Sequence, residues 1–302
     1  MVKSDEVPSG LGISITVEPK EAEDRDKIAE GLGKLVSEDS SLYIGVDEET
    51  GQIVLHGVSE LHLETTLYRL THEYGANVIQ GNPQVNYRET IDDEIDIEFE
   101  YVHKKQSGGA GQYAEVVAKL RSNKSSSGFK IINSIRGGDI PQEYIPGIEK
   151  GLLHAIKSGA LAGYPVVDIE VEIIGGTFHD VDSSVFAFEI CARRWFVDVM
   201  KYLKHRNKLY LVEPIMKVEV LSPVEYRDSI LGSLNSRRGQ VTGDGDDMGD
   251  KCIINANVPL SEMLGYTQTL RDMTQGRATF SAVFDYYDKV PINIQDALLE
   301  NV

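Results

Sequence analysis

His179, Asp180 and Asp182 fall within one short segment, Gly175-Gly176-Thr177-Phe178-His179-Asp180-Val181-Asp182-Ser183-Ser184. An imidazole and two carboxylates so close together are the residue types of a metal site or of acid–base catalysis, the chemistry of a metal-dependent hydrolase. That chemistry needs ligands converging on one ion, and no second histidine or cysteine stands near them in the sequence. The simpler reading gives Asp182 or Ser183 the task of capping the helix that follows and leaves His179 on an exposed turn.

A second stretch, Lys104-Lys105-Gln106-Ser107-Gly108-Gly109-Ala110-Gly111-Gln112, joins cations and amide side chains to glycines between two strand-like runs. Glycines let a ligand approach the backbone closely, and lysine and glutamine can reach phosphates, 2′-hydroxyls or base edges. Alone, the stretch reads as a flexible hairpin tip with solvating lysines. Phosphoryl-transfer chemistry is not encoded: no GxxxxGK[ST] string occurs, and Gly33-Lys34 runs into Leu35 with Ile28 where a first glycine is needed. Asn123-Lys124-Ser125-Ser126 lacks the aspartate that would recognise a guanine base. The chain is therefore expected to hold no catalytic residue, no GTPase site, no metal and no cofactor of its own. Cys191 and Cys252 lie far apart in apolar surroundings and read as buried reduced thiols.

The chain has 302 residues, 41% of them apolar, and a formal net charge of −18. That length accommodates two or three domains with ordinary cores. The acidic balance opposes nucleic-acid binding as a whole, but the charge is uneven: Glu18 to Asp26 and Asp92 to Glu100 are acidic, whereas Lys104, Lys105 and Arg193 to Lys208 are basic. In the latter stretch Arg193, Arg194, Lys201, Lys204, Arg206 and Lys208 accompany an apolar side marked by Trp195, Phe196, Val199 and Met200. A solvated helix face and an RNA-facing one fit it equally. No apolar run approaches the roughly 18 residues of a membrane span, so a cytoplasmic protein without membrane contact is expected.

The elements that must position these residues follow from periodicity. A strand over 13 to 17, a helix opening at Pro19, a hairpin turning at Glu48-Glu49-Thr50-Gly51, a helix capped by Ser59 with Leu61, Leu63, Leu67 and Leu70 in register, and a strand over 77 to 80 give βαββαβ. The same order returns over Met216 to Phe284, with Pro223 matching Pro19 and Leu260-Ser261-Glu262-Met263 matching Val58-Ser59-Glu60-Leu61. Both segments read as split-βαβ, ferredoxin-like units. Between them, strands over 95–102, 113–120 and 129–135, a helix over 142–158, a strand over 165–174 and a helix over 184–204 give βββαβα. Its two least regular connections, 103–112 and 175–183, are expected to project from the same end of the sheet.

Several strings in this order resemble the C-terminal half of bacterial elongation factor G. They are Glu60-Leu61-His62-Leu63-Glu64, Pro83-Gln84-Val85-Asn86-Tyr87-Arg88-Glu89-Thr90, His103-Lys104-Lys105-Gln106-Ser107-Gly108-Gly109, Tyr144-Ile145-Pro146, Ala162-Gly163-Tyr164-Pro165, His179-Asp180-Val181-Asp182-Ser183-Ser184, Glu213-Pro214-Ile215-Met216 and Met273-Thr274-Gln275-Gly276-Arg277-Ala278. Each is weak alone, and their joint order from Gly12 to Pro291 is specific. Gly57-Val58-Ser59 departs from the Gly-Met-Gly usual in the family, which leaves open a specialised paralogue acting in ribosome recycling or ribosomal protection.

The resemblance implies an α+β chain of three domains: two ferredoxin-like units, residues 1–86 and 213–302, flanking a βββαβα domain over 87–212 similar to the second domain of ribosomal protein S5. It implies the ribosome-binding arm of a factor that moves tRNA and mRNA, a monomer driven by an N-terminal GTPase domain in cis that holds GTP and magnesium. The expected partners are the ribosome with its rRNA, tRNA and mRNA. Lys104, Lys105, Gln106, Ser107, Gly108, Gly109, Gly111, Gln112, His179 and Asp180 would form the RNA-binding tip. Arg237, Arg238 and Arg277 would touch the ribosome, although at a helix end and a turn they equally suit the helix dipole and local closure.

Overall fold

A computed structural model describes residues 11–46, 52–106, 111–123, 128–136, 139–244 and 249–300. The expected turn Glu48–Gly51, the tip residues Ser107, Gly108 and Gly109, and Lys124 to Ser126 lie outside the described residues. The first segment runs β1 (Ile13–Pro19), α1 (Asp24–Glu38), β2 (Tyr43–Val46), β3 (Ile53–Gly57), α2 (Glu60–Tyr74), β4 (Val78–Gln80) and the short β5 (Gln84–Val85). Its sheet has the order β2-β3-β1-β4, with β5 also pairing β1, which is the split-βαβ arrangement. Ile13, Ile15 and Val17 alternate into the core against Ile28, Leu32 and Leu35 of α1. Ser59 caps α2 as its sequence position predicts, accepting the His62 N–H at 3.3 Å. Two expectations fail here. Pro19 ends β1 opposite Val78 and does not open the helix, which begins only at Asp24. Leu61 is 55% exposed, because it stands two residues, more than half a helical turn, from the buried Leu63.

The middle segment runs β6 (Arg88–Ile91), β7 (Asp96–Lys105), β8 (Gln112–Ser122), β9 (Phe129–Asn133), α3 (Ile145–Ala155), β10 (Ile169–Gly175) and α4 (Val185–Lys204), and is followed by the long β11 (Leu209–Pro223). The order β7-β8-β10-β9, with β10 parallel to β9 and antiparallel to β8, realises the βββαβα reading. β6, not anticipated, pairs antiparallel with the first residues of β11, Leu209 opposite Ile91. From β6 the buried Glu89 carboxylate receives the N–H groups of Leu161 at 2.9 Å, Ala162 at 2.8 Å and Tyr164 at 3.2 Å. A buried charge is tolerable there because donors surround it.

The last segment continues with α5 (Arg227–Ser236), β12 (Gln240–Asp244), β13 (Lys251–Pro259), α6 (Leu260–Met263), α7 (Tyr266–Thr274), β14 (Thr279–Lys289) and α8 (Ile292–Leu299). Its sheet order, β12-β13-β11-β14, repeats that of the first segment. The single helix expected from Ser261 is two, broken where Leu264 turns extended and Gly265 adopts φ +68°. By contacts the chain forms two compact units, Met1–Asn86 with Glu213–Asp288, and Tyr87–Val212 with Lys289–Val302. The two ferredoxin-like segments thus share one buried core, in which Gly12 lies against Leu260 and Pro214. The tail beyond Asp288, expected with the last domain, packs with the middle segment: Val290 N–H donates to Leu211 O at 2.9 Å, and the Leu211 N–H to the Gln295 side chain at 2.8 Å.

Candidate functional site

The β7–β8 hairpin carries the first candidate loop. Pairing runs to Lys105 opposite Gln112. Lys104, Lys105 and Gln106 are exposed at its end, and among the described residues neither lysine has an ion-pair partner. His103 Nε2 and Gln112 Oε1 hydrogen-bond at 3.0 Å across the hairpin base.

The second loop, between β10 and α4, is stitched to this hairpin as the topology implied. Gly111 N–H donates to Asp182 Oδ1 at 3.0 Å, Tyr113 N–H to Asp182 O at 2.9 Å, and Ser183 Oγ to Tyr113 O at 2.7 Å. Glu115 N–H reaches Thr177 O at 3.2 Å, and the Tyr113 hydroxyl lies 2.7 Å from Thr177 Oγ1. Within the loop His179 N–H donates to Ser183 Oγ at 2.9 Å, fixing a tight turn that leaves the imidazole exposed beside the Tyr113 ring, centroids 4.1 Å apart. Asp180 is exposed, and Val181 is 84% exposed at the apex.

Helix capping differs from expectation. Ser184, not Asp182 or Ser183, caps α4, its Oγ accepting the Ala187 N–H at 3.1 Å. Asp182 and Ser183 instead tie the loops together. With Asp182 aimed at a backbone N–H, the hydrolase reading loses its convergent donor set; among the described residues no group of three or more His, Cys, Asp or Glu could hold an ion. Tyr113 is the residue that sequence reading passed over. The alternation Tyr113-Ala114-Glu115-Val116, with the even positions buried, marks it as outward-facing next to the tip.

α4 holds the hairpin rigid. Trp195 Nε1–H donates to Phe99 O at 2.7 Å, and the Cys191 thiol lies 3.3 Å from both Tyr101 O and Ala114 O. Burial pushes that thiol up to about 12, so it stays neutral, as the sequence implied for a core cysteine.

The three arginines expected to touch the ribosome are engaged internally. Arg238, at φ +58°, grips the buried Glu213 with two bonds of 2.6 and 3.0 Å and reaches Glu262 at 2.9 Å; these carboxylates hold its guanidinium above the usual range. Arg237 bonds Thr269 Oγ1 at 3.0 Å and Glu262 O, and lies 5.0 Å over the Tyr266 ring. Arg277 contacts Tyr226 and pairs with Glu225 at 2.6 Å, its side chain half-exposed.

Family models match the chain in consecutive blocks: Elongation Factor G, domain III over residues 9–82, Elongation factor G, domain IV over 83–202, and Elongation factor G C-terminus over 210–298. The chain belongs to the elongation factor G family. Elongation factor G of Ruegeria pomeroyi is 49% identical over 286 residues, and that of Dinoroseobacter shibae 48% over 288; each match covers 95% of this chain and 40% of the relative. The chain thus spans about two fifths of the length of these elongation factor G relatives and corresponds to their C-terminal part. A crystal structure of a Thermus thermophilus protein superposes with a TM-score of 0.76 at 36% identity, over 98% of this chain and 43% of that one. The α+β architecture and the elongation factor G assignment agree. No helix among the described residues is long and apolar enough to cross a membrane.

Proposed function

We propose that this chain is the ribosome-engaging arm of a translation elongation factor, its paired loops entering the decoding region to move tRNA and mRNA in a GTP-dependent cycle. The observation carrying this reading is the stitched tip. Lys104, Lys105, Gln106, His179 and Asp180 are exposed on two loops joined through Gly111, Tyr113, Asp182 and Ser183. Exposed cations and an imidazole on a braced scaffold can hold RNA in one register without doing chemistry on it. Energy would come from GTP and magnesium on a GTPase domain in cis, and the protein would act as a cytoplasmic monomer.

The glycine-rich hairpin tip favours movement over drug displacement or subunit splitting. Arg277, more exposed than Arg237 and Arg238, is the one of these three best placed to add a ribosomal contact, since Arg237 and Arg238 hold partners within the fold. Single-turnover measurements in the complete factor test the proposal: His179→Ala should slow mRNA displacement about 5- to 150-fold while GTP cleavage stays near normal, the effect of about 1–3 kcal/mol from one nucleotide contact. Equal slowing of both steps, or loss of subunit splitting with displacement intact, would overturn it.

A further inference from the structure

α4 carries a second basic surface, distinct from the tip. Its buried side, with Phe188, Cys191, Trp195 and Val199, packs on the sheet. Away from it, Arg193, Arg194 and Lys201 are exposed, and just past the helix Arg206 lies 3.9 Å over the ring of Tyr202. Arg193 and Lys201 are two turns apart on one side, about 12 Å along the axis.

In a chain of net charge −18, carboxylates are plentiful partners for cations. Arg69, Arg121, Arg238 and Arg277 take them, at 2.9, 2.7, 2.6 and 2.6 Å. Among the described residues Arg193, Arg194, Lys201 and Arg206 have no ion-pair partner, although Asp198 stands one turn from both Arg194 and Lys201. The helix dipole does not account for them all, because its field falls off within the last turn and Arg193 and Arg194 sit mid-helix. Lys204 is different: its Nζ donates to Ala160 O at 2.7 Å and Leu161 O at 3.2 Å, bracing the loop that Glu89 holds from the other side.

We infer that this face of α4 binds the phosphate backbone of structured RNA, independently of the tip loops. Guanidinium groups fork onto phosphate oxygens, and the Tyr202 ring beneath Arg206 holds that guanidinium in place. That the RNA is ribosomal rests on the function proposed above; the charge arrangement stands apart from it. The test titrates a fluorescein-labelled RNA hairpin, and separately whole ribosomes, with the chain at about 50 to 200 mM KCl. Arg193→Glu with Lys201→Glu should flatten the log–log salt slope by about 1.4 to 1.8 on both probes, at 0.7 to 0.9 per phosphate contact. An unchanged slope on the hairpin, with circular dichroism showing the variant folded, overturns the inference. A loss on ribosomes alone overturns it too, in favour of an acidic ribosomal protein. Lys104→Ala with Lys105→Ala separates the two readings: if that pair leaves ribosome binding unchanged while the α4 variant weakens it, the tip proposal falls and this one stands.

Discussion

At the scale of single residues, the tip depends on a backbone position only glycine can fill. Gly176 sits at φ +152°, and a Cβ there would meet Glu115 O at 2.0 Å, on the strand that carries Tyr113. Gly176→Ala must therefore push the 175–184 loop off β8, breaking the Glu115–Thr177 contact. A loss of roughly 1–3 kcal/mol follows, as for other strained backbone positions. Gly33 is the informative control. It is exposed within α1, and a methyl group added there would meet nothing within 4 Å, so Gly33→Ala should stabilise by about 1 kcal/mol through helix propensity alone. Urea denaturation of both variants decides: similar shifts would mean that the clash at Gly176 is absorbed by loop movement. Sequence alone exposed the polar character of this loop but not its wiring. Asp182 has the look of a cap or a ligand, and only the placement of Gly111 beside it in space gives it a different task.

At the scale of elements, α4 does more than cover the sheet. β7 is an edge strand, and edge carbonyls need partners or water. Trp195 and Cys191 supply them at Phe99 and Tyr101. Trp195→Phe keeps an aromatic ring but takes the donor from the part-buried Phe99 carbonyl, at about 1 kcal/mol, with further loss from the smaller ring. Trp195 is the sole tryptophan, so far-UV circular dichroism rather than fluorescence should follow the unfolding; an unchanged midpoint would show that the bond contributes nothing net. Strand and helix order was legible because hydrophobic periods of 2 and 3.6 are local signals. What periodicity missed was non-local. β6 is four residues that pair with the start of β11, more than a hundred residues later. The α6–α7 break rests on one left-handed glycine, and α8 is too short for its period to stand out. Pro19 closes β1 as Pro223 closes β11, so the two matched prolines hold the same place in each repeat.

At the scale of the whole molecule, charge should shape stability in two opposing ways. The 48 acidic residues outnumber the 30 basic ones, and their mutual repulsion is relieved as the pH falls from 7 toward 5. Several carboxylates behave oppositely, Asp24, Asp39 and Asp92 among them. Asp24 accepts the Asn77 N–H, Asp39 the Ser41 N–H with His62 nearby, and Asp92 the Glu94 N–H with Lys208 at 3.0 Å; each is held below the usual carboxylate range. Since their folded values lie below the unfolded value of about 3.9, they add stability above that pH and lose it as the pH falls through the folded values. The melting temperature at low salt should therefore hold or rise from pH 7 to about 5, then fall below about 4. Added salt screens the diffuse repulsion and should flatten the first limb, while the second, made of short hydrogen bonds, should persist. Asp92→Asn should make the acid limb shallower, because one linked proton is removed from it. Thermal melts across this range, with and without salt, would refute the assignment if the acid limb vanished with salt or if Asp92→Asn left its slope unchanged.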